Sequence, residues 1–256
     1  MLVPSIVYVA GSAVRTYSFV LALAVLLAFA WAIAAAQGER GRAANACLLA
    51  LAAGLLLARL EYVLLEWRYF QTATHEIFDF AAGGLGWHGA AWGSWLGLWL
   101  GWRAWRMQTP FAVLLTALAP AVPVFMAAGW LGCAAAGCGY GSEVRTLADY
   151  PPLVTAELPD VFGIVAPRWN TPLYGVVWAS VVFVIVVGAT RWLAPTGFWL
   201  ALVVGALGTF VIGYARADAV PFIAGLRADQ WLDLGVFALG LFAVSVGVRR
   251  RKGSPL

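Results

Sequence analysis

The sequence has 256 residues, of which 63% are hydrophobic and 11% charged, with a formal net charge of +4. A water-soluble domain is roughly 45–50% apolar and about 25% charged, so a soluble fold could not hide this much apolar surface; hydrocarbon as solvent removes the difficulty. The positive balance is no nucleic-acid signature, because its basic cluster, Arg249, Arg250, Arg251 and Lys252, is short and directly follows an apolar run, as a juxtamembrane anchor does.

A membrane span needs about 20 mainly apolar residues. In chain order the predicted spans are Thr16–Ala36, Ala43–Leu65, Gly89–Trp105, Pro110–Leu131, Pro172–Leu193, Gly197–Ala215 and Trp231–Val248. The opening does not read as a cleaved signal: it lacks a basic start, and Tyr8, Arg15 and Tyr17 precede the first long apolar run. Gln37–Arg42, Arg103–Thr109 and Arg191–Thr196 are short connections, Glu66–Gly86 is acidic and aromatic, and Arg216–Gln230 carries both signs of charge. The longest break, Cys133–Thr171, holds Pro151, Pro152, Pro159 and Pro167. Such backbone cannot sit unpaired in lipid, so residues 133–171 should form a small extracytoplasmic (periplasmic) cap.

Lys and Arg in short loops set orientation. Arg40, Arg42, Arg103, Arg106, Arg191 and the 249–252 cluster share one side with a single acid, Glu39. That side is expected to be cytoplasmic. The expected architecture is therefore all-α: one polytopic transmembrane domain over residues 1–256, a bundle of seven helices with its N-terminus outside and its C-terminus in the cytoplasm.

Charged groups at membrane depth are costly and mark functional sites. Arg59, Glu61 and Glu66 fall near the outer end of the second span. Arg59 and Glu66 are seven apart and share a helical face, while Glu61 points to another; a snorkelling interfacial pair is the alternative reading. Arg15 and Tyr17 open the first span as interfacial anchors or site residues. His88 enters the third span within Gly83-Gly84-Leu85-Gly86-Trp87-His88-Gly89, where an imidazole among glycines is accessible and can carry a proton near neutral pH; the alternative is a histidine bonded to a backbone carbonyl. Gly129 to Gly141 is a glycine-rich break at the end of a span, whose amides could meet an anion. Cys133 and Cys138 within it are five apart, a poor spacing for one helical face, and read as two small packing residues. Arg216, at the end of the sixth span, can hold a lipid phosphate.

In this order the segments resemble the bacterial prolipoprotein diacylglyceryl transferase family. Val14-Arg15-Thr16-Tyr17-Ser18 is similar to that family's aromatic-Tyr-Gly entry to its first helix. Ala58-Arg59-Leu60-Glu61-Tyr62-Val63 is similar to its Gly-Arg-aliphatic-Gly-Tyr-aliphatic segment, and Gly83 to Gly89 to its Gly-Gly-x-x-x-His-Gly-Gly motif. Gly129 to Gly141 aligns with its Gly-Arg-x-Gly-Asn-x-x-Asn-Gly-Glu-x-x-Gly signature, Thr171-Pro172-Leu173-Tyr174 with its Pro-x-x-Tyr helix start, and Phe210 to Asp218 with its Arg-Phe-x-x-Glu-x-x-Arg-x-x-Asp tail.

The resemblance implies transfer of diacylglyceryl from phosphatidylglycerol to a lipobox cysteine thiol, in the inner (cytoplasmic) membrane of a bacterium, with a prolipoprotein as partner and no cofactor, metal or nucleic acid. Its catalytic residues here would be His88, Arg59 and Tyr17, and its lipid- or phosphate-binding residues Arg216, Arg15, Gly132 and Gly137. The signature is altered at Trp130 (Arg in the family), Cys133 (Asn) and Cys138 (Glu), and the tail at Thr209 (Arg) and Gly213 (Glu). Two further readings stay open: a lipid- or lipoprotein-binding membrane subunit without catalysis, whose cavity Trp130 and the Tyr140 segment fill, and a thiol-dependent enzyme or transporter using Cys133 and Cys138.

Overall fold

The computed structural model describes residues 3–80, 82–188 and 196–252. Most of the expected loop Arg191–Thr196 lies outside the described residues, as do the side chains of Arg250, Arg251 and Lys252 in the expected anchor. Five helices are long and apolar enough to cross a membrane: Thr16–Ala35, Arg40–Leu65, Phe111–Ala136, Thr171–Gly188 and Ala228–Gly247. Gly197–Gly213 is a shorter apolar helix. The chain divides into two compact units, one made of Phe29–Ala117 with Val220–Leu232, the other of the described residues within Met1–Ala28, Leu118–Ala219 and Asp233–Leu256.

The first of these units is built on two helices, α2 (Arg40–Leu65) and α4 (Trp87–Ala104). Glycines recur on α4 every fourth residue, at Gly89, Gly93, Gly97 and Gly101, and all four face α2. A Cβ at Gly97 would stand 2.6 Å from the Leu49 carbonyl oxygen, and one at Gly101 2.7 Å from the Ala46 Cα. Residues four apart share a helix face, and small residues there let two backbones touch. Glycine and tryptophan stand where an ordinary span has aliphatic side chains, which is why α4 is not among the five strongly apolar helices. The connection between α2 and α4 holds a single helical turn, α3 (Trp67–Phe70), and a 3-10 turn at Thr74–Glu76. At the other end of α2, Glu39 accepts hydrogen bonds from the amides of Gln108 (3.0 Å) and Thr109 (2.7 Å) and from the Arg42 guanidinium (2.8 Å).

The second unit begins with a hairpin that the hydropathy pattern did not reveal, β1 (Ile6–Val9) and β2 (Ser12–Arg15). Its turn residues, Ala10 and Gly11, both have positive φ, the condition for a two-residue turn that matches strand twist. The hairpin leads straight into α1 (Thr16–Ala35). The expected fourth span is two segments, α5 (Phe111–Leu118) and α6 (Ala121–Ala136). They part at Ala119-Pro120, where proline has no N–H for the helical ladder. Within residues 133–171, α6 runs on to Ala136, and beyond it come a hairpin of β3 (Thr155–Pro159) and β4 (Val165–Trp169) and a 3-10 turn at Leu147–Asp149.

α6 packs against α7 (Thr171–Gly188) and α8 (Gly197–Gly213). Large side chains fill the room that glycines leave. Met126 lies at Gly205, and the Trp178 indole lies at Gly208 while donating its Nε1–H to the Val204 carbonyl at 2.9 Å. The chain closes with a short hairpin, β5 (Phe222–Ile223) and β6 (Leu226–Arg227), and α9 (Ala228–Lys252).

Candidate functional site

Arg59 sits on α2 with only 5% of its surface exposed. Its guanidinium faces four backbone carbonyls of the α2–α4 connection: Nε donates to Ile77 (2.8 Å), one terminal nitrogen to Gly83 (2.6 Å) and Gly84 (3.2 Å), and the other to Glu76 (2.6 Å). The rings of Tyr62 and Phe70 flank it, with centroids 5.6 and 5.2 Å from the guanidinium carbon. Five fixed donors in a plane suit Arg to gather several carbonyls at once. The guanidinium is turned to these carbonyls, where the alternative reading had it in a snorkelling pair with Glu66.

His88, at the start of α4, is also buried, 3% exposed. Glycine packing brings this helix close to α2, and the imidazole Nδ1 meets Glu61 Oε1 at 2.7 Å. The second carboxylate oxygen of Glu61 accepts the Gly89 amide at 2.6 Å. The Trp87 ring stacks on the imidazole at 4.2 Å between centroids. So His88 is bonded to a carboxylate. Glu61, placed on another face by helical spacing alone, is the residue that holds it.

In the other unit the glycine-rich segment ends α6. Gly137 adopts φ +71°, the left-handed conformation that closes a helix C-terminus. Its amide and that of Cys138 (3.1 Å) both donate to the Cys133 carbonyl. These two amides are therefore engaged, and they lie at the negative end of the α6 dipole. The same turn folds Cys138 back onto Cys133, and the two form a disulfide with Cα atoms 4.5 Å apart. Their expectation as two separate packing residues is thereby corrected; Cys47 is the free, buried cysteine.

Tyr17, in the first turn of α1, lays its ring against Gly132, where any side chain would overlap it. Arg15 is exposed at the end of β2. Trp130 packs between Gly139 and Gly175. The guanidinium of Arg216 lies over the Trp130 ring, 5.7 Å from its centroid, and pairs with Asp218 through two bonds of 2.9 and 2.5 Å. A bridge between Gly141 and Arg216 fixes this arm to the glycine-rich segment, with Ser142 donating to Ala215 and Ala217 to Tyr140. Burial first, then the Asp160 and Asp218 carboxylates, push the Tyr140 phenol above its ordinary pKa. Thr209, on α8, donates to Asp233 at 2.7 Å, and both are buried.

The model of the family described as prolipoprotein diacylglyceryl transferase matches residues 4–246. The chain belongs to the prolipoprotein diacylglyceryl transferase family. It is 30% identical over 253 residues to phosphatidylglycerol–prolipoprotein diacylglyceryl transferase 1 of Streptomyces coelicolor, covering 93% of this chain and 71% of that protein. Likeness to the enzyme of Streptomyces avermitilis is 27% over 262 residues, covering 97% and 74%. The Mycobacterium tuberculosis relative is 30% identical over 231 residues, covering 80% of this chain and 47% of its own. Family membership and the apolar helices together make this a multi-pass membrane protein.

Family motifs thus pointed to Arg59, His88, Tyr17, Trp130, Gly132, Gly137 and Arg216. They did not point to Glu61, Asp218 as the partner of Arg216, or Asp233. Glu61 carried one usable signal, an acid inside a span at a position where the family pattern has glycine.

Proposed function

We propose that the chain moves a diacylglyceryl group from phosphatidylglycerol to the lipobox cysteine thiol of a prolipoprotein. The observation that carries this reading is His88, buried at the head of α4 within the family's glycine-histidine motif and held through Nδ1 by Glu61. In this reading His88 is the base. A thiol is a weak nucleophile until it loses its proton. The thiol proton passes to the imidazole, sulfur bonds to the terminal glycerol carbon of the diacylglyceryl group, and the bond from that carbon to the phosphate oxygen breaks. Glycerol phosphate leaves carrying the electron pair. Arg216 is the cation assigned by motif to the phosphate side, and Tyr17, Arg15 and the glycine-rich segment are assigned to the lipid. Arg59, with its guanidinium on four carbonyls, orders the segment that precedes His88 and acts as a positioning residue.

The finer topology is part of the same reading. With α4 and α8 added to the five apolar helices, the chain has seven spans in a single transmembrane domain. Its N-terminus and the 133–171 cap lie outside, its C-terminus in the cytoplasm, and the membrane is the bacterial inner membrane. The α2–α4 glycine contact supports α4 as a span, and the loop charges support the orientation.

One observation favours a second reading, a subunit that binds lipid or lipoprotein without transferring anything. Trp130 occupies a signature position where the family has arginine, and its ring fills the space at Gly175. Purified protein incubated with phosphatidylglycerol and a lipobox peptide decides between them. The transferase reading expects the peptide to gain the diacylglyceryl mass, at a rate about 100-fold lower in His88→Ala. Peptide lipidation no greater than in His88→Ala overturns it, and retained lipid binding then leaves the second reading.

A further inference from the structure

The β3–β4 hairpin carries an apolar tip that the proposed chemistry does not use. Phe162 is 83% exposed, and Val161, Ile164 and Val165 are each more than half exposed. None of residues 161–165 is charged. The Asp160 carboxylate at their base points back into the turn: one oxygen accepts the amides of Phe162 and Ile164, each at 2.9 Å, and the other faces Arg168 at 3.5 Å. The Gly163 amide donates to the Asp160 carbonyl (2.9 Å), and the Asp160 amide to the Ile164 carbonyl (3.0 Å). The turn thus meets these backbone needs from within and shows apolar side chains outward, as a segment entering lipid must. Contiguous exposed apolar side chains mark a contact surface.

Both ends of the hairpin are tied to helix ends. Trp169, which pairs with Thr155 at the foot, stands two residues ahead of α7. Near the tip, the Asp160 carbonyl oxygen lies against Gly137, the residue that closes α6, where a Cβ would stand 2.8 Å from it. The end of α6 and the start of α7 pack together through Trp130 and Gly175, and both belong to helices long and apolar enough to cross a membrane. The hairpin therefore lies across two helix ends, with its tip beginning at the end of α6. Phe162, two residues beyond Asp160, is at most about 7 Å from it, and the headgroup layer at each membrane face is roughly 5–8 Å thick. We propose that Val161, Phe162, Ile164 and Val165 dip into the headgroup–acyl boundary beside α6 and anchor the connection between α6 and α7 on the lipid surface. The occupant of this apolar tip is the bilayer itself. The inference needs α6 and α7 to span and is independent of the transfer reaction.

The disulfide takes up Cys133 and Cys138, so Cys47→Ala leaves an introduced cysteine as the single reactive thiol. In that background a nitroxide is attached at Phe162→Cys and, separately, at Asp149→Cys, an exposed polar position on the same connection. The full chain is reconstituted in vesicles of phosphatidylglycerol and phosphatidylethanolamine. Power-saturation EPR then compares collisions with oxygen, which concentrates in the bilayer, and with a water-soluble nickel chelate, which stays out of it. The oxygen-to-nickel collision ratio is expected to be several-fold higher at 162 than at 149. A label at 162 that meets nickel as freely as the label at 149 overturns the inference, because the tip then stands in water. A label at 162 shielded from both reagents overturns it too, because the tip is then covered by protein. Ile164→Cys gives the same reading if Phe162→Cys does not fold.

Discussion

The indole of Trp130 occupies the space that a side chain at Gly175 would need, so α6 and α7 fit together only while residue 175 is glycine. Gly175→Ala is expected to cost about 1–3 kcal/mol through overpacking. Thermal unfolding in detergent measures it. Trp130→Ala should relieve the clash, so that adding Gly175→Ala to Trp130→Ala costs little more. Additive losses would show that the two residues do not compete for one space.

The cysteines give a covalent prediction. Alkylation of denatured, unreduced protein should label one thiol, Cys47, and prior reduction should raise this to three. Mass spectrometry counts them. Replacing Cys133 and Cys138 by serine should lower stability by about 2 kcal/mol, as expected for a short closed loop.

Arg59 gathers carbonyls from Glu76 to Gly84, and its removal takes a charged donor from each of them. Arg59→Lys supplies three donors at one point instead of a planar fork. The variant should lose about 3 kcal/mol. It should also be cut by chymotrypsin at Phe78 and Phe80 well before the native chain. Equal cleavage rates would refute the clamp.

Glu39 ties the start of α2 to residues 108 and 109, and the Gln108 amide above all holds its carboxyl down to about 2 from an ordinary 4.5. The folded chain holds this proton more weakly than the unfolded one, so the ionised group stabilises the fold above about pH 4.5 and the contribution disappears as pH falls towards 2. The gap in melting temperature between native protein and Glu39→Ala should therefore stay level above pH 5 and close on acidification. A gap that widens in acid would contradict the assignment.

Much of the frame was readable from hydropathy because lipid imposes it: α1, α2 and α7 begin within three residues of their predicted starts. The β1–β2 hairpin was not, since two four-residue strands leave no hydropathy signal. The disulfide was hidden because five residues is a poor helical spacing, and only the left-handed Gly137 turns Cys138 back. Glu61 was hidden for a different reason. Helical spacing tells which face of α2 it occupies but not who approaches that face, and the approach of His88 is decided by how α4 packs. The motifs carried the list of site residues; the partners of those residues came from packing between elements.

The glycine row on α4 has a consequence for how the protein is made. A helix whose inner face is glycine has little affinity for hydrocarbon, because bare backbone offers few apolar contacts. With α4 read as a span, its glycine face is covered once α2 already stands. On that reading assembly of this part of the chain is ordered, with the more apolar helix first and the histidine-bearing helix delivered onto it. A substitution such as Gly93→Leu would then act early, as failed insertion and degradation of the nascent protein, before any folded protein existed to be impaired.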